Sequence, residues 1–349
     1  MNICKYIKSQ LELHSSMQPQ DIIKLCYQAA FGAEHLLSDK KRALTYFNEE
    51  FANTEPSDGD LYEQISDNIY RINLGAWKST NMPSEWLFEM FVNSMKPIEN
   101  GSESFRDYLK TLDKNFDEFG FAFSQSLWFE FKTTYLKDGI RAVHHSQTYR
   151  DAEKPAYRIV NTRFIRLLPL LQKANQIGNS NSAKIIAIDG RAASGKSTMA
   201  ADLKLILGAG IIHMDDFFLP PLLRTEERFK QPGGNVHYER FMEEVIPHLS
   251  NKTAFSYRRF DCHVMDYNGE RFVDESEWRV VEGSYSLHPA LGEYADLKVF
   301  STVEPEEQMR RITQRNGAEM AERFRTAWIP MEEAYYEYYK IKDKCQLII

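Results

Sequence analysis

Gly190-Arg191-Ala192-Ala193-Ser194-Gly195-Lys196-Ser197 decides how the second half of this chain is read. It fits the pattern G-x-x-x-x-G-K-[S/T]. An apolar run, Ile185-Ile186-Ala187-Ile188, precedes it and ends at Asp189, and Thr198 to Leu207 reads as a helix. Strand, glycine loop and helix is the context in which the pattern has a physical meaning. The glycines let the backbone curl until successive N–H groups face one polyphosphate, and the helix N-terminus adds partial positive charge. Gly190, Ala193, Ser194, Gly195, Lys196, Ser197 and Thr198 are the expected nucleotide contacts. Lys196 reaches the β- and γ-phosphates of a bound ATP, and the Ser197 hydroxyl suits Mg²⁺.

Composition narrows the field. The chain has 349 residues, room for about two domains. Its formal net charge of −7 leaves no basic excess for wholesale binding of nucleic acid. No apolar run approaches a membrane span, and residues 1–18 lack the apolar core of a signal peptide. Cys4, Cys26, Cys262 and Cys345 form no C-x-x-C pair, so they read as reduced thiols of a cytoplasmic protein.

Residues 1–177 read as an all-α domain. Pro19–Leu37 carries Ile22, Ile23, Leu25, Cys26, Ala29 and Ala30 at helical spacing, with Gly32 inside it. Further helical patterns cover 40–51, 61–72, 84–95, 104–116 and 125–136. Glu34 and His35 stand near Gln28, and Arg71, Asn73 and Trp77 cluster around Gly75. His144, His145, Tyr149, Tyr157 and Arg158 crowd a segment around Pro155. His35, His144 and His145 match no metal-ligand spacing, and surface or hydrogen-bonded core positions account for them. Gly178–Ser182 is the expected linker, and the nucleotide-binding domain is expected over 183–349.

Beyond the loop helix, Gly210–Met214 reads as a short buried strand running into Asp215-Asp216-Phe217-Phe218. An acid at a strand end beside a phosphate loop suits a catalytic base or a magnesium contact. Arg279-Val280-Val281 is a second buried strand, and Glu282 at its end suits a magnesium-bound water. Asn268-Gly269 predicts the turn of a small hairpin flap. Gln346–Ile349 predicts the last of five parallel strands.

The glycine loop with Met214-Asp215-Asp216-Phe217-Phe218 and Val280-Val281-Glu282-Gly283 resembles the uridine kinase and phosphoribulokinase group of P-loop kinases, over residues 183–349. The resemblance implies an α/β fold with a five-stranded parallel sheet flanked by helices. It implies Asp215 as base and magnesium contact, with Lys196 catalytic and Ser197, Asp215 and Glu282 around the metal. It places Phe218, Tyr238 and Phe260 with Asp215 on the acceptor side, and it implies an arginine-bearing lid, here Arg311 and Arg315. The N-F-D-H-P-type segment of uridine kinases is absent near Asn235–Tyr238, which puts uridine itself in doubt. The function expected is ATP-dependent transfer of a γ-phosphate to a hydroxyl of a small molecule, a nucleoside in the first instance. Nicotinamide riboside, a pantothenate-like compound or a sugar are the alternative acceptors, and a nucleotide-dependent regulator with a partner-binding first half is the other class. Oligomeric state is not legible from the sequence.

Overall fold

The computed structural model describes residues 3–33, 40–95, 98–178 and 180–349. The chain divides into two compact units, Met1–Leu168 and Pro169–Ile349. Glu34, His35 and part of the expected linker lie outside the described residues.

The first unit is mainly helical, but it is not all-α. It contains a three-stranded antiparallel sheet: β1 (Tyr62–Ser66), β2 (Ile69–Asn73) and β3 (Tyr157–Asn161). The helix expected over 61–72 is therefore a hairpin, turned by Asp67-Asn68. Isoleucines at 65, 69 and 72 satisfy helical spacing, but Ile65, Ile69 and Ile72 are buried as strand residues. Short apolar runs are ambiguous between the two periods, and tertiary pairing with β3 decides for strand. The first long helix stops at Phe31 instead of continuing to Leu37, because Gly32 takes a φ of +57° and caps it.

A buried polar network crosses this unit. His145 Nδ1 lies 2.8 Å from Asp21 Oδ1, and its Nε2 lies 2.7 Å from the Tyr157 hydroxyl. The backbone N–H and hydroxyl of Ser146 also donate to Asp21. Burial pushes the His145 pKa down to about 4, against the pull of the Asp21 hydrogen bond. Burial works against the Asp21 charge, but hydrogen bonds from His145, Ser146 and Gln18 hold its carboxyl below the usual range. His144, its sequence neighbour, is exposed. Both ring nitrogens of His145 are thus engaged by protein groups.

The second unit is built on a five-stranded parallel sheet of order β10-β9-β4-β8-β5. Its strands are β4 (Lys184–Gly190), β5 (Gly210–His213), β8 (Trp278–Glu282), β9 (Leu297–Ser301) and β10 (Leu347–Ile348), and a separate hairpin pairs β6 (Phe255–Asp261) with β7 (Asp266–Val273). Helices cover both faces, so β4 and β8 are apolar without alternation. This is the P-loop α/β fold. Register positions the site: Ile188 of β4 and His213 of β5 both pair with Glu282 of β8. The loop after β4, the turn after β5 and Glu282 thus meet at the carboxyl edge of the sheet.

One turn differs from expectation. The hairpin reverses at Cys262–Met265, where Met265 has a φ of +58°, and not at Asn268-Gly269. Pairing shifts between Arg258 and Phe260, so Asn268 and Gly269 together face Arg259 as a bulge. Gly269 supplies the positive φ of +78° that a bulge of this kind uses.

The His145 network makes the first unit acid-sensitive. Below about pH 6.5 the unfolded chain takes up a proton that folded His145 refuses, so stability falls as pH drops from about 6.5 to about 4, by on the order of 3 kcal/mol at the limit. Urea unfolding of the first unit across that range should show the loss. The His145→Gln protein, though less stable at neutral pH, should show a flatter profile over the same interval.

Candidate active site

Asp189, the last residue of β4 before Gly190, is fully buried and accepts four hydrogen bonds: from the N–H groups of Gly190, Tyr285 and Leu287, and from the Tyr335 hydroxyl at 2.9 Å. Burial raises its pKa, and these donors oppose the shift. Asp189 thereby ties the start of the loop to the turn after β8 and to the helix Ile329–Tyr338. No sequence pattern had marked it, because an Asp before a glycine loop looks like a solvated strand end.

The loop then turns through left-handed conformations at Ala193 and Gly195, with φ of +56° and +102°. Gly190 has a φ of +136°, and a Cβ on it would lie 2.0 Å from the Ser301 carbonyl oxygen. β9 passes so close that only glycine fits. The Lys196 ammonium donates to the carbonyls of Gly190 at 2.7 Å and Arg191 at 2.9 Å, and so closes the loop on itself. Among the described residues none accepts a hydrogen bond from the backbone N–H of Ala193, Gly195, Lys196 or Ser197. The Ser194 hydroxyl is buried without a partner. Converging unspent donors at a helix N-terminus, with one orphaned hydroxyl, fit a phosphate chain. Thr198 is exposed at the same helix start.

Glu282 is buried and bridges two groups. It accepts from the Ser197 hydroxyl at 3.1 Å and pairs with His213 Nδ1 at 2.6 Å. His213 was not anticipated; its place before Met214-Asp215 at the strand end is the signal that points to it. Asp215 sits on the short turn Met214–Phe217, exposed to solvent. Its carboxylate has no hydrogen-bond or ion-pair partner among the described residues. Surrounding protein desolvates it, and Glu282 adds repulsion, so its pKa is raised although Lys196 and His213 pull the other way. Asp216, one residue on, is its opposite: buried, and bound to the Tyr257 hydroxyl at 3.1 Å and Arg271 Nε at 3.0 Å. Asp216 anchors the hairpin.

Ser197 thus touches Glu282, and Glu282 lies close enough to Asp215 to act on its charge. Among the described residues no three His, Cys, Asp or Glu side chains assemble to hold a metal alone. That is the donor set Mg²⁺ suits, since it takes one or two protein ligands and completes its shell with water and phosphate.

The lid expectation divides. Arg311 Nη1 reaches the Ala193 carbonyl at 3.1 Å while Nε pairs with Glu307 at 2.7 Å. Arg315 is exposed and donates to the Asn316 side chain at 2.8 Å. Arg310 and Arg325 are spent on Glu307 and Glu322 along their own helices. Arg191 makes a two-oxygen ion pair with Glu333, and Glu332, buried, accepts from the Ala192 N–H at 3.0 Å and the Ser284 hydroxyl at 2.9 Å. Neither glutamate had been singled out, because both lie in a helix whose aromatic residues dominate its pattern.

The aromatics expected on the acceptor side have protein neighbours. Phe260 is 3% exposed and packs edge-on against Tyr267, so the hairpin core uses its ring. Tyr238 stacks on His288 with centroids 4.7 Å apart and lies 4.0 Å from the Arg228 guanidinium, so its stacking partners are protein groups. Phe218 is partly buried against the main core beside Asp215. A cavity of about 280 Å³ lies next to Ser197 and His213, walled by Arg271, Phe272 and Lys204.

No protein-family model matches the chain, and no curated protein matches it. Solved structures do. A possible uridine kinase from Bacillus stearothermophilus is 17% identical, covers 54% of this chain and all of its own, with a TM-score of 0.40. A candidate fructose transport system kinase from Silicibacter is 19% identical, covers 53% of this chain and 97% of its own, with a TM-score of 0.42. A D-glycerate 3-kinase from Cryptococcus neoformans is 14% identical, covers 48% of this chain and 85% of its own, with a TM-score of 0.37.

Two loop glycines separate conformation from contact. Gly195→Ala meets no atom within 4 Å and carries only the strain of its positive φ, about 1–3 kcal/mol. Gly190→Ala adds a collision with backbone, and its loss of stability in chemical denaturation should exceed that of Gly195→Ala by at least about 2 kcal/mol.

Proposed function

We propose that the second unit is a phosphotransferase that uses ATP and Mg²⁺ to phosphorylate a hydroxyl group of a small molecule. One observation carries the proposal. Of the acids gathered at the carboxyl edge, Asp189, Asp216, Glu282 and Glu332 are all hydrogen-bonded to protein, whereas Asp215 has no protein partner and faces solvent. An unspent carboxylate beside a phosphate loop has no protein donor to give up before it takes a proton, and it is placed to accept one.

ATP with its magnesium ion would supply the transferable phosphoryl group and neutralise part of its charge. The chain's own residues do the rest. The unspent N–H groups of Ala193, Gly195, Lys196 and Ser197 hold phosphate oxygens. The Lys196 ammonium exchanges its contacts to the Gly190 and Arg191 carbonyls for phosphate oxygens, where positive charge stabilises the transfer. Ser197, Asp215 and Glu282 are the groups that would hold the metal or its waters, and the His213 pair keeps Glu282 oriented. Asp215 accepts the proton of the acceptor hydroxyl, and its raised pKa strengthens it as a base. Arg311, already at the loop, is the lid cation that the geometry favours over Arg315.

The acceptor is a nucleoside in this reading, with a sugar, pantothenate-like or ribosyl-nicotinamide compound as the alternative. The departure from the uridine-kinase segment near Asn235 and the occupied rings of Tyr238 and Phe260 weigh toward the alternative. The cavity beside His213 and Arg271 suits a compact polar acceptor.

ADP release measured against a panel of nucleosides, sugars and vitamins should depend on the acceptor; ADP release with no acceptor present would overturn the proposal. Asp215→Asn should lower kcat by at least about a hundredfold while leaving ATP affinity within a few-fold.

A further inference from the structure

The first unit holds a cavity of about 410 Å³ that the proposed phosphotransfer does not use. Its walls come from three separate stretches: the N-terminal stretch at Gln10 and His14, the segment Thr54–Gly75 with the β1–β2 hairpin, and Tyr149–Tyr157. The two residue clusters noted in the sequence around Gly75 and Pro155 meet here. The volume is in the lower part of the range for small-molecule sites.

Arg71 forms the floor and is 3% exposed. Its Nη1 donates to Gln10 Oε1 at 3.3 Å and Glu63 Oε1 at 3.2 Å, its Nη2 to Gln28 Oε1 at 2.5 Å, and its plane lies 4.3 Å from the Tyr157 ring centre. Among the described residues its Nε has no partner, and the same is true of the buried Ser57 hydroxyl on the cavity wall. Gly75 shapes that wall, since a Cβ there would lie 2.7 Å from the Ser57 hydroxyl and from the Glu55 carbonyl. Tyr157 is held from behind by His145 and Gln28. A desolvated guanidinium set by this many protein groups, with polar capacity still unspent, is the mark of a prepared site.

The charges select the ligand. Glu55, Asp60, Glu63 and Glu153 line the cavity against Arg71 and Lys154. Glu63 already supplies the counter-charge of Arg71, and Glu153 is held by His14 and Ser16. Glu55 and Asp60 are exposed, and their carboxylates have no protein partner among the described residues. The floor therefore favours neutral oxygen acceptors, and the rim favours a cation, with tyrosine rings beside it. An anion would meet a neutralised arginine behind an acidic rim. We infer that the cavity of the first unit binds a small hydroxylated amine, such as an amino sugar or amino alcohol, at a site separate from the phosphate loop.

Isothermal titration of the full-length protein tests this with glucosamine and ethanolamine as probes, and glucose and inorganic phosphate as comparators. Saturable binding of at least one amine, at least tenfold tighter than glucose or phosphate, is expected. The double variant Glu55→Gln/Asp60→Asn alters exposed residues only; it should unfold at the wild-type urea midpoint and bind the amine at least tenfold more weakly. Tighter or equal binding of glucose or phosphate overturns the inference. So does the absence of saturable amine binding, or amine binding that the double variant leaves unchanged.

Discussion

The second unit depends on how closely β9 passes β4. At Gly190 the Ser301 carbonyl occupies the space a Cβ would need. That approach lets the chain leave the sheet edge sharply, and the N–H groups of the loop then converge on one point. The adjacent Asp189 fixes the same corner from inside, through the turn after β8 and the hydroxyl of Tyr335. A buried carboxylate is costly unless it is well hydrogen-bonded, and four donors meet that demand. Strand packing, loop shape and the seating of the C-terminal helix are one coupled arrangement.

Hydrogen bonding around this corner separates acids engaged by protein donors from one that is not. Asp216 and Glu282 sit close to Asp215 and share its chemistry, yet both are engaged by protein donors. Tyr257 and Arg271 hold Asp216, and Ser197 and His213 hold Glu282. Asp215 faces the solvent with its oxygens unspent. Within the single turn Met214–Phe217, Asp215 is exposed and Asp216 is buried. The first unit applies the same logic inwardly, where Asp21, His145, Tyr157, Gln28 and Arg71 form a chain of buried polar contacts beneath a cavity.

Legibility in the sequence followed the range of the interactions. The loop, its flanking strand and helix, and the acids at the ends of β5 and β8 were all readable, because each is announced within a few residues. The hairpin in the first unit was misread as helix, since Ile65, Ile69 and Ile72 fit both periods and β3 lies far along the chain. The hairpin of the second unit was foreseen, but its turn was misplaced, because Asn268-Gly269 serves a bulge as readily as a turn. Family resemblance points to Phe260, Tyr238 and Arg315, whereas ring packing and a local hydrogen bond, which no short motif encodes, engage all three with protein groups.

The sequence by itself determined that a phosphate-cradling loop lies between a buried strand and a helix, and that Asp215 follows the next strand. Those features are local: glycine freedom, apolar runs and the reach of one helix turn specify them. Only the tertiary structure decided which acid stays unspent, which arginine reaches the loop, and that Asp189, His213 and Glu332 belong to the site. Each of those depends on contacts between residues tens to more than a hundred positions apart. No local spacing encodes which donor will lie opposite which carboxylate, because strand register and helix seating set that only once the core has packed.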